Sequence, residues 1–492
     1  MFRKLFFLSS FLYFSTYNLT AQNVIDAVRF SNIQTQGSAR FESMAGAFGA
    51  LGADISSNQI NPAGYGRFSS STVGISFHIN SVNAKGSFQE NNLETKKANF
   101  KMPSIGIVIS KDISKNNNGL LYNQFGFSYN RIENFTGVKR YQGKLHKSLL
   151  DEFASYGQGL DPNNFPPFTT MLAWNTFAID PDTTTSDNYD YVVNLDSADI
   201  LFQKRTITTK GGIGEYAFNY SLNYLNKLYF GGSLGIKAIN YSDSYVHSEI
   251  NDPNSIALID SFNYEYTLRT KGSGFNLKLG AIYLPTNFLR LGLAFHSKTY
   301  YNLTDDWTAD MTTYRSDSIY TIGEDYIPVG KYKYRLRTPG KWIGSVGIIF
   351  GKMGAINLDV EYVNYRGNQL RSTRDFAYDP EPNDYAYQNA EIKDMLRPVV
   401  NLRLGGELVI ASNYFIRLGF AHYPQPYKKE YSGSYQAASV YSCGVGFRVK
   451  RVNFDLAYKL QNNNFDYIAY EGSTAHFKNS SSYFVGTFAF RF

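Results

Sequence analysis

The chain has a single cysteine, Cys443, which excludes an intramolecular disulfide and any multi-cysteine metal centre. Its six histidines are scattered, with no close pair at ligand spacing, so no metal site and no cofactor is expected. There is no P-loop and no Rossmann glycine fingerprint, no catalytic residue stands out, and the chain is not expected to be an enzyme. Nor is a nucleic-acid partner expected. No run of about 18 or more apolar residues occurs, which excludes a spanning helix.

What the chain does have is aromatics. It carries 40 Tyr, 38 Phe and 3 Trp in 492 residues, yet its mean hydropathy is only −0.32. Alternating lipid-facing and water-facing residues produce this combination in a membrane barrel. The alternation is explicit. In "TVGISFHIN", Val73, Ile75, Phe77 and Ile79 share one face, with Gly74, Ser76, His78 and Asn80 on the other. "INLDVEYVN" and "VNFDLAYKL" repeat the pattern, and a period of two means strands with one apolar and one wet face.

Fourteen such segments are expected, starting near Thr72, Phe100, Leu121, Arg205, Leu228, Phe262, Phe288, Tyr332, Ala355, Met395, Tyr414, Ala437, Val452 and Ser481. The connections alternate: "LNK", "LPTN", "GKMG", "ASN" and "KR" are tight, whereas Thr136–Lys204, Thr304–Gly330 and Gly367–Lys393 are long. Short turns on one side and long loops on the other are the mark of an antiparallel outer-membrane barrel. An even strand number closes the sheet and leaves no edge in lipid. The last segment, "YFVGTFAFRF", ends on an aromatic, as such barrels do.

The start of the chain has its own character. Arg3 and Lys4 precede the apolar "LFFLSSFLYF", and "LTA" stands before Gln22, so residues 1–21 read as a secretory signal. Residues 22–71 then precede the barrel, residues 72–492. They are rich in Gly and Ala with isolated hydrophobes such as Phe41, Met44, Phe48 and Leu51. Asn61 before Pro62 favours a turn. A compact plug in a polar lumen fits this composition, since irregular backbone at membrane depth must be enclosed.

The stretch "MAGAFGALGADISSNQINPAG" resembles the N-terminal hatch signature of FadL/TodX-type transporters, matched at Asp54, Ser56, Asn61, Pro62 and Ala63. "RLRTPGKWIGSVGIIFGKMGAINLDVEYVNY", "RLGGELVIASNYFIRLGFAHY" and "CGVGFRVKRVNFDLAYKL" resemble that family's later hairpins. The resemblance is weakest over Thr136–Lys204. It implies an all-β fold, a 14-stranded antiparallel transmembrane β-barrel plugged by an N-terminal hatch, in the outer membrane of a Gram-negative cell. It also implies passive uptake of hydrophobic molecules such as long-chain fatty acids, some members releasing them sideways through an interruption in the wall. Pro103 and Gly126 are the positions to inspect for one, because proline removes a ladder donor.

Charge is uneven. Residues 150–200 contain nine Asp or Glu and no Lys or Arg, although the chain totals +7. Parity places Lys237, Lys278, Arg290, Arg403, Arg417, Arg448 and Lys459 in the lumen, with Asp359, Glu361, Glu407 and Asp455 facing the same way. Arg403, Arg417, Lys237 and Arg448 are candidates to meet a ligand carboxylate, for which a guanidinium is suited; ion pairs bracing the wall are the alternative. "KSLLDEFASYGQGL", Lys147 to Leu160, is expected to form an outer helix. Leu149 and Phe153 there, and Phe48 in the plug, are candidate apolar ligand contacts. The expected partners are outer-membrane lipid, lipopolysaccharide and a hydrophobic small-molecule ligand, and the chain is expected to be a monomer. The acidic loops read as solvated surface, with divalent-cation bridging to lipopolysaccharide phosphates as the alternative. Rival readings are a barrel partner of a secretion complex, a receptor for haem or another ligand with His78 and His296 as candidates, and an outer-membrane hydrolase.

Overall fold

Fourteen antiparallel strands pair in chain order and close on themselves. The computed structural model describes residues 24–32, 34, 36–115, 119–184, 189–195, 200–373, 385–433 and 436–492. The expected signal segment, residues 1–21, lies outside the described residues. The strands are β1 (Thr72–Phe88), β2 (Asn91–Asp112), β3 (Leu120–Asn134, prolonged by Gly137–Leu145), β4 (Leu201–Tyr224), β5 (Leu228–Ile250) and β6 (Ile259–Tyr283). They continue as β7 (Leu289–His296 and Thr299–Arg315), β8 (Val329–Thr338 and Lys341–Ile349) and β9 (Gly354–Asn364 and Gln369–Ser372). The last five are β10 (Pro398–Ile410), β11 (Tyr414–Tyr423), β12 (Ala438–Val449), β13 (Val452–Tyr470) and β14 (Ser473–Arg491). Closure is a long ladder from Thr72↔Arg491 to Ser87↔His476.

Period-two patterning decides which side of each strand is wet. On β1, Val73, Phe77 and Ile79 are exposed on the outer wall, while Ser76, His78 and Asn80 are buried inside. The same holds on β6, where Phe275, Leu277 and Leu279 face out and Asn276 and Lys278 face in. Outward aromatics pair across strands, as in Phe125 with Tyr220, Phe127 with Phe218 and Tyr129 with Tyr216. The wall is an apolar belt around a polar bore.

The turns at one end are tight and use left-handed residues, Leu225 and Asn226, Ala411 and Ser412, and Lys450. At the other end the strict alternation of loop length fails twice. β1 turns into β2 through residues 89–90, and β13 into β14 through residues 471–472. Residues 91–99, 304–315 and 473–480, expected as loop, are strand. The reason is physical. Beyond the bilayer both faces of a strand are wet, so "ENNLETKKAN" has no apolar face to announce it, although its backbone stays paired.

The outer end carries the longer excursions. The expected helix is shorter than its sequence window, α3 (Leu149–Ser155), and α4 (Thr170–Asn175) and α5 (Ala386–Met395) join it. The N-terminal segment contributes α1 (Val24–Ser31), α2 (Ala39–Ser43) and two 3-10 turns, Ile55–Gln59 and Pro62–Arg67.

Candidate functional site

The N-terminal segment lies inside the cylinder and touches it nearly all the way round. Asp54 caps the first 3-10 turn: its Oδ1 accepts the Ser56 amide at 2.8 Å, and its Oδ2 accepts the Ser38 hydroxyl at 2.7 Å. Ser56 Oγ in turn accepts the Ser38 amide at 2.8 Å. Asn61 caps the second turn through the Ala63 amide at 3.0 Å and donates to the carbonyls of Gly49, at 2.8 Å, and Ala281, at 3.1 Å. Pro62 is the first residue of that turn, and its carbonyl accepts from Asn219 and Ser221 of β4. Ala63 is fully buried against Tyr229 and Ile282. The motif residues thus build the plug and seat it.

Two wall glycines make that seat possible. A Cβ at Gly280 would fall inside the Asn61 carboxamide, and one at Gly231 would meet the Pro62–Ala63 backbone. The string Gly231–Gly235 has the form Gly-x-Ser-x-Gly, but it runs along β5 rather than turning into a helix, and Ser233 Oγ accepts from Asn58 of the plug.

Charge locks plug to wall. Arg40 donates Nε and Nη2 to Glu407 at 3.0 and 3.1 Å, and Glu407 also accepts from Arg417 at 2.6 Å. Arg417 reaches Asp455 at 2.6 Å as well. Glu42 pairs with Lys459 at 2.6 Å, and Asp359 accepts the amides of Phe48 and Gly49. Phe41 and Phe48 are fully buried with Ala294 and Ile343. Burial of such rings contributes about 2–3 kcal/mol each.

The four candidate carboxylate contacts divide. Arg403 is held by Glu361 at 3.2 Å and lies 3.7 Å from Asp359, and Arg417 is shared between Glu407 and Asp455. Lys237 instead donates to Thr299 Oγ1 at 3.0 Å, and Arg448 to Asn453 Oδ1 at 3.1 Å; among the described residues neither forms an ion pair. Lys237 lines a cavity of about 50 Å³ above the plug, with Lys278, Lys341, Glu215, Glu361 and His296. Arg448 lines one of about 60 Å³ below it, with Arg40, Asp54, Arg417, Asp455 and Arg491. His296, a candidate for haem, gives its Nε2 to the Ile60 carbonyl of the plug.

Above the plug the bore is apolar and already filled. Phe30 of α1 is fully buried against Phe135 and Tyr241, within a cluster that includes Tyr301, Tyr334, Leu336 and Ile392. Leu149 and Phe153 are buried under α3, Phe153 against Tyr264, and do not line the open depression of about 460 Å³ beside that helix. The α3 N-terminus is tied to the wall: Glu249 accepts from Ser148 Oγ at 2.6 Å and the Leu149 amide at 2.9 Å.

The wall itself is interrupted. The β2–β3 ladder runs from Asp112↔Tyr122 to Ser104↔Asn130 and stops. Above it β2 pairs only with β1, and β3 only with β4. Both strands bulge at that height, at Met102–Pro103 opposite Phe77 and at Ile132. Gly137–Leu145 then runs behind the β1–β2 hairpin, where the Thr95 hydroxyl donates to the Val138 carbonyl at 2.6 Å. Pro103 therefore stands at the break. Gly126 does not: it is paired with Val108, and its missing side chain admits the Tyr65 ring.

No protein-family model matches the sequence, and no curated protein does. Among solved structures, a Pseudomonas aeruginosa FadL homologue aligns with a TM-score of 0.56 at 13% identity, over 93% of this chain and 98% of its own. The P. putida toluene transporter TodX aligns with a TM-score of 0.50 at 10% identity, over 93% and 99%. At these identities what is shared is architecture, and it is shared over 93% of this chain: the chain is a closed 14-stranded barrel with the FadL/TodX fold.

Proposed function

We propose that the protein takes up hydrophobic small molecules across the outer membrane without energy coupling, through a lumen gated by residues 22–71. The observation that carries this reading is the pairing of a seated plug with a broken wall. The bore is stoppered by Asn61, Arg40 and Glu42 contacts to the wall, while the β2–β3 ladder ends beside it at Ser104↔Asn130. Water and ions are thereby refused, and a greasy solute has a way out that never crosses the plug. The FadL homologue and the toluene transporter TodX, which have this fold, support the same reading.

The cavity beside Lys237 is far smaller than the several hundred Å³ that a sizeable ligand fills. The structure is thus read as a closed state in which α1 holds the chamber, and entry of ligand moves α1. Lys237, which forms no ion pair among the described residues and shares its cavity with Glu215, is the lumen residue best placed to meet a ligand headgroup. Arg403 and Arg417 are read as braces, because their charges are already spent on Asp359, Glu361, Glu407 and Asp455. Mass spectrometry of molecules retained by the purified protein tests the proposal. Hydrophobic compounds released in stoichiometric amount are expected; a preparation that retains none and gives cells no faster uptake of fatty acids or aromatic hydrocarbons would overturn it.

A further inference from the structure

The break between β2 and β3 holds charge that the wall does not use. His78 of β1 stands opposite Lys101 of β2 on the inner face, and Lys101 and Arg131 are charges that act on it. His78 is 1% exposed, and among the described residues neither of its ring nitrogens has a hydrogen-bond partner; the buried Nε of Arg131 has none either. Among the described residues no acid pairs with Lys101 or Arg131. Glu133, two residues on, turns to the backbone amides of Gln34 and Asn134, and Lys459, the other nearby cation, is taken by Glu42. Two unpaired cations beside a buried imidazole are costly to keep at membrane depth unless an anion joins them.

The height of the break says what kind of anion. On the outer wall Phe77, Ile79 and Phe100 are the last exposed apolar residues, Phe77 and Phe100 stacked at 5.8 Å. Farther out the same faces carry Ser81, Asn83 and Lys85 on β1 and Lys96 and Glu94 on β2. The break therefore lies just inside the rim of the apolar belt, where an amphiphile's head and chain part company.

We propose that the β2–β3 break is a binding station for the anionic head of an amphiphile, its carboxylate or phosphate held by Lys101, Arg131 and His78 and its chain lying on Phe77 and Phe100. This site rests on the uptake reading and adds to it a preference for anionic over neutral ligands at the wall. The full chain in phosphatidylcholine nanodiscs, titrated with radiolabelled oleate and with methyl oleate, tests it. Oleate is expected to bind at least about tenfold more tightly than the ester, as loss of charged hydrogen bonds predicts. Lys101→Gln combined with Arg131→Gln is expected to bring oleate down to the ester's affinity and leave the ester unchanged. Lys101→Arg combined with Arg131→Lys, which keeps both charges, is expected to preserve the preference and controls for folding. Displacement of oleate by phosphatidylglycerol in the wild type but not in the Gln variant supports the station with a lipid headgroup as its occupant. Equal affinity for oleate and ester, or an unchanged preference in the Gln variant, overturns the station and leaves uptake standing. Failure of both ligands to bind at all overturns the station and the uptake reading together.

Discussion

Individual residues in this barrel are explained by what the plug presses against them. Gly280 is the clearest case, since any side chain there would enter the Asn61 carboxamide. Gly280→Val is expected to unseat the plug, raising ion leak through reconstituted protein while the barrel keeps its heat-resistant mobility on gels. Gly344→Val, whose Cβ meets nothing within 4 Å, is expected to leave both unchanged. Glu407 makes a second case, because it neutralises both Arg40 and Arg417. Glu407→Gln is expected to cost about 3 kcal/mol, the scale for breaking a buried pair, and to show as a lowered unfolding temperature. Much of this was legible beforehand. Parity placed Arg403, Arg417 and Lys459 on the inner face with Asp359, Glu361, Glu407 and Asp455, and Asn61-Pro62 signalled the turn that caps there. Glu42, the partner of Lys459, lies in the plug and was not foreseen. Which cations would be paired was not legible, because partners such as Glu407 and Arg40 lie 367 residues apart.

At the scale of elements, sequence pattern reads a strand only where lipid demands it. Within the belt, starts at Thr72, Leu228 and Tyr414 coincide with the observed ones. Above the belt the outer halves of β2, β7 and β14 lost their alternation and were hidden, though their ladders continue. The break between β2 and β3 left one trace in the sequence, Pro103, and the bulge at Ile132 left none, since no residue type is required there. α1 was hidden for another reason: at eight residues it makes barely two turns, too few for a helical period to stand out in the sequence. α3 depends on its anchor more than on its own length, which is too short to hold a helix unaided. Glu249→Ala removes the acceptor for Ser148 and the Leu149 amide, and is expected to speed hydrogen exchange across residues 149–155 without changing exchange in β10. Unaltered exchange in α3 would show that its packing on Phe262 and Tyr264 suffices.

As a whole the molecule is a cylinder that carries its own stopper. Strand number and parity close the wall. Buried rings, wall glycines and two ion pairs hold the leading segment in the bore. The β2–β3 ladder ends at Ser104↔Asn130, beside the stopper, and on the proposed reading that is where a side route lies. The most direct measurement is single-channel conductance of the full chain in a planar bilayer, compared with a variant lacking residues 24–71. The full chain is expected to stay closed to ions and the variant to show large, stable openings; wide conductance in the full chain that the deletion leaves unchanged would contradict the account.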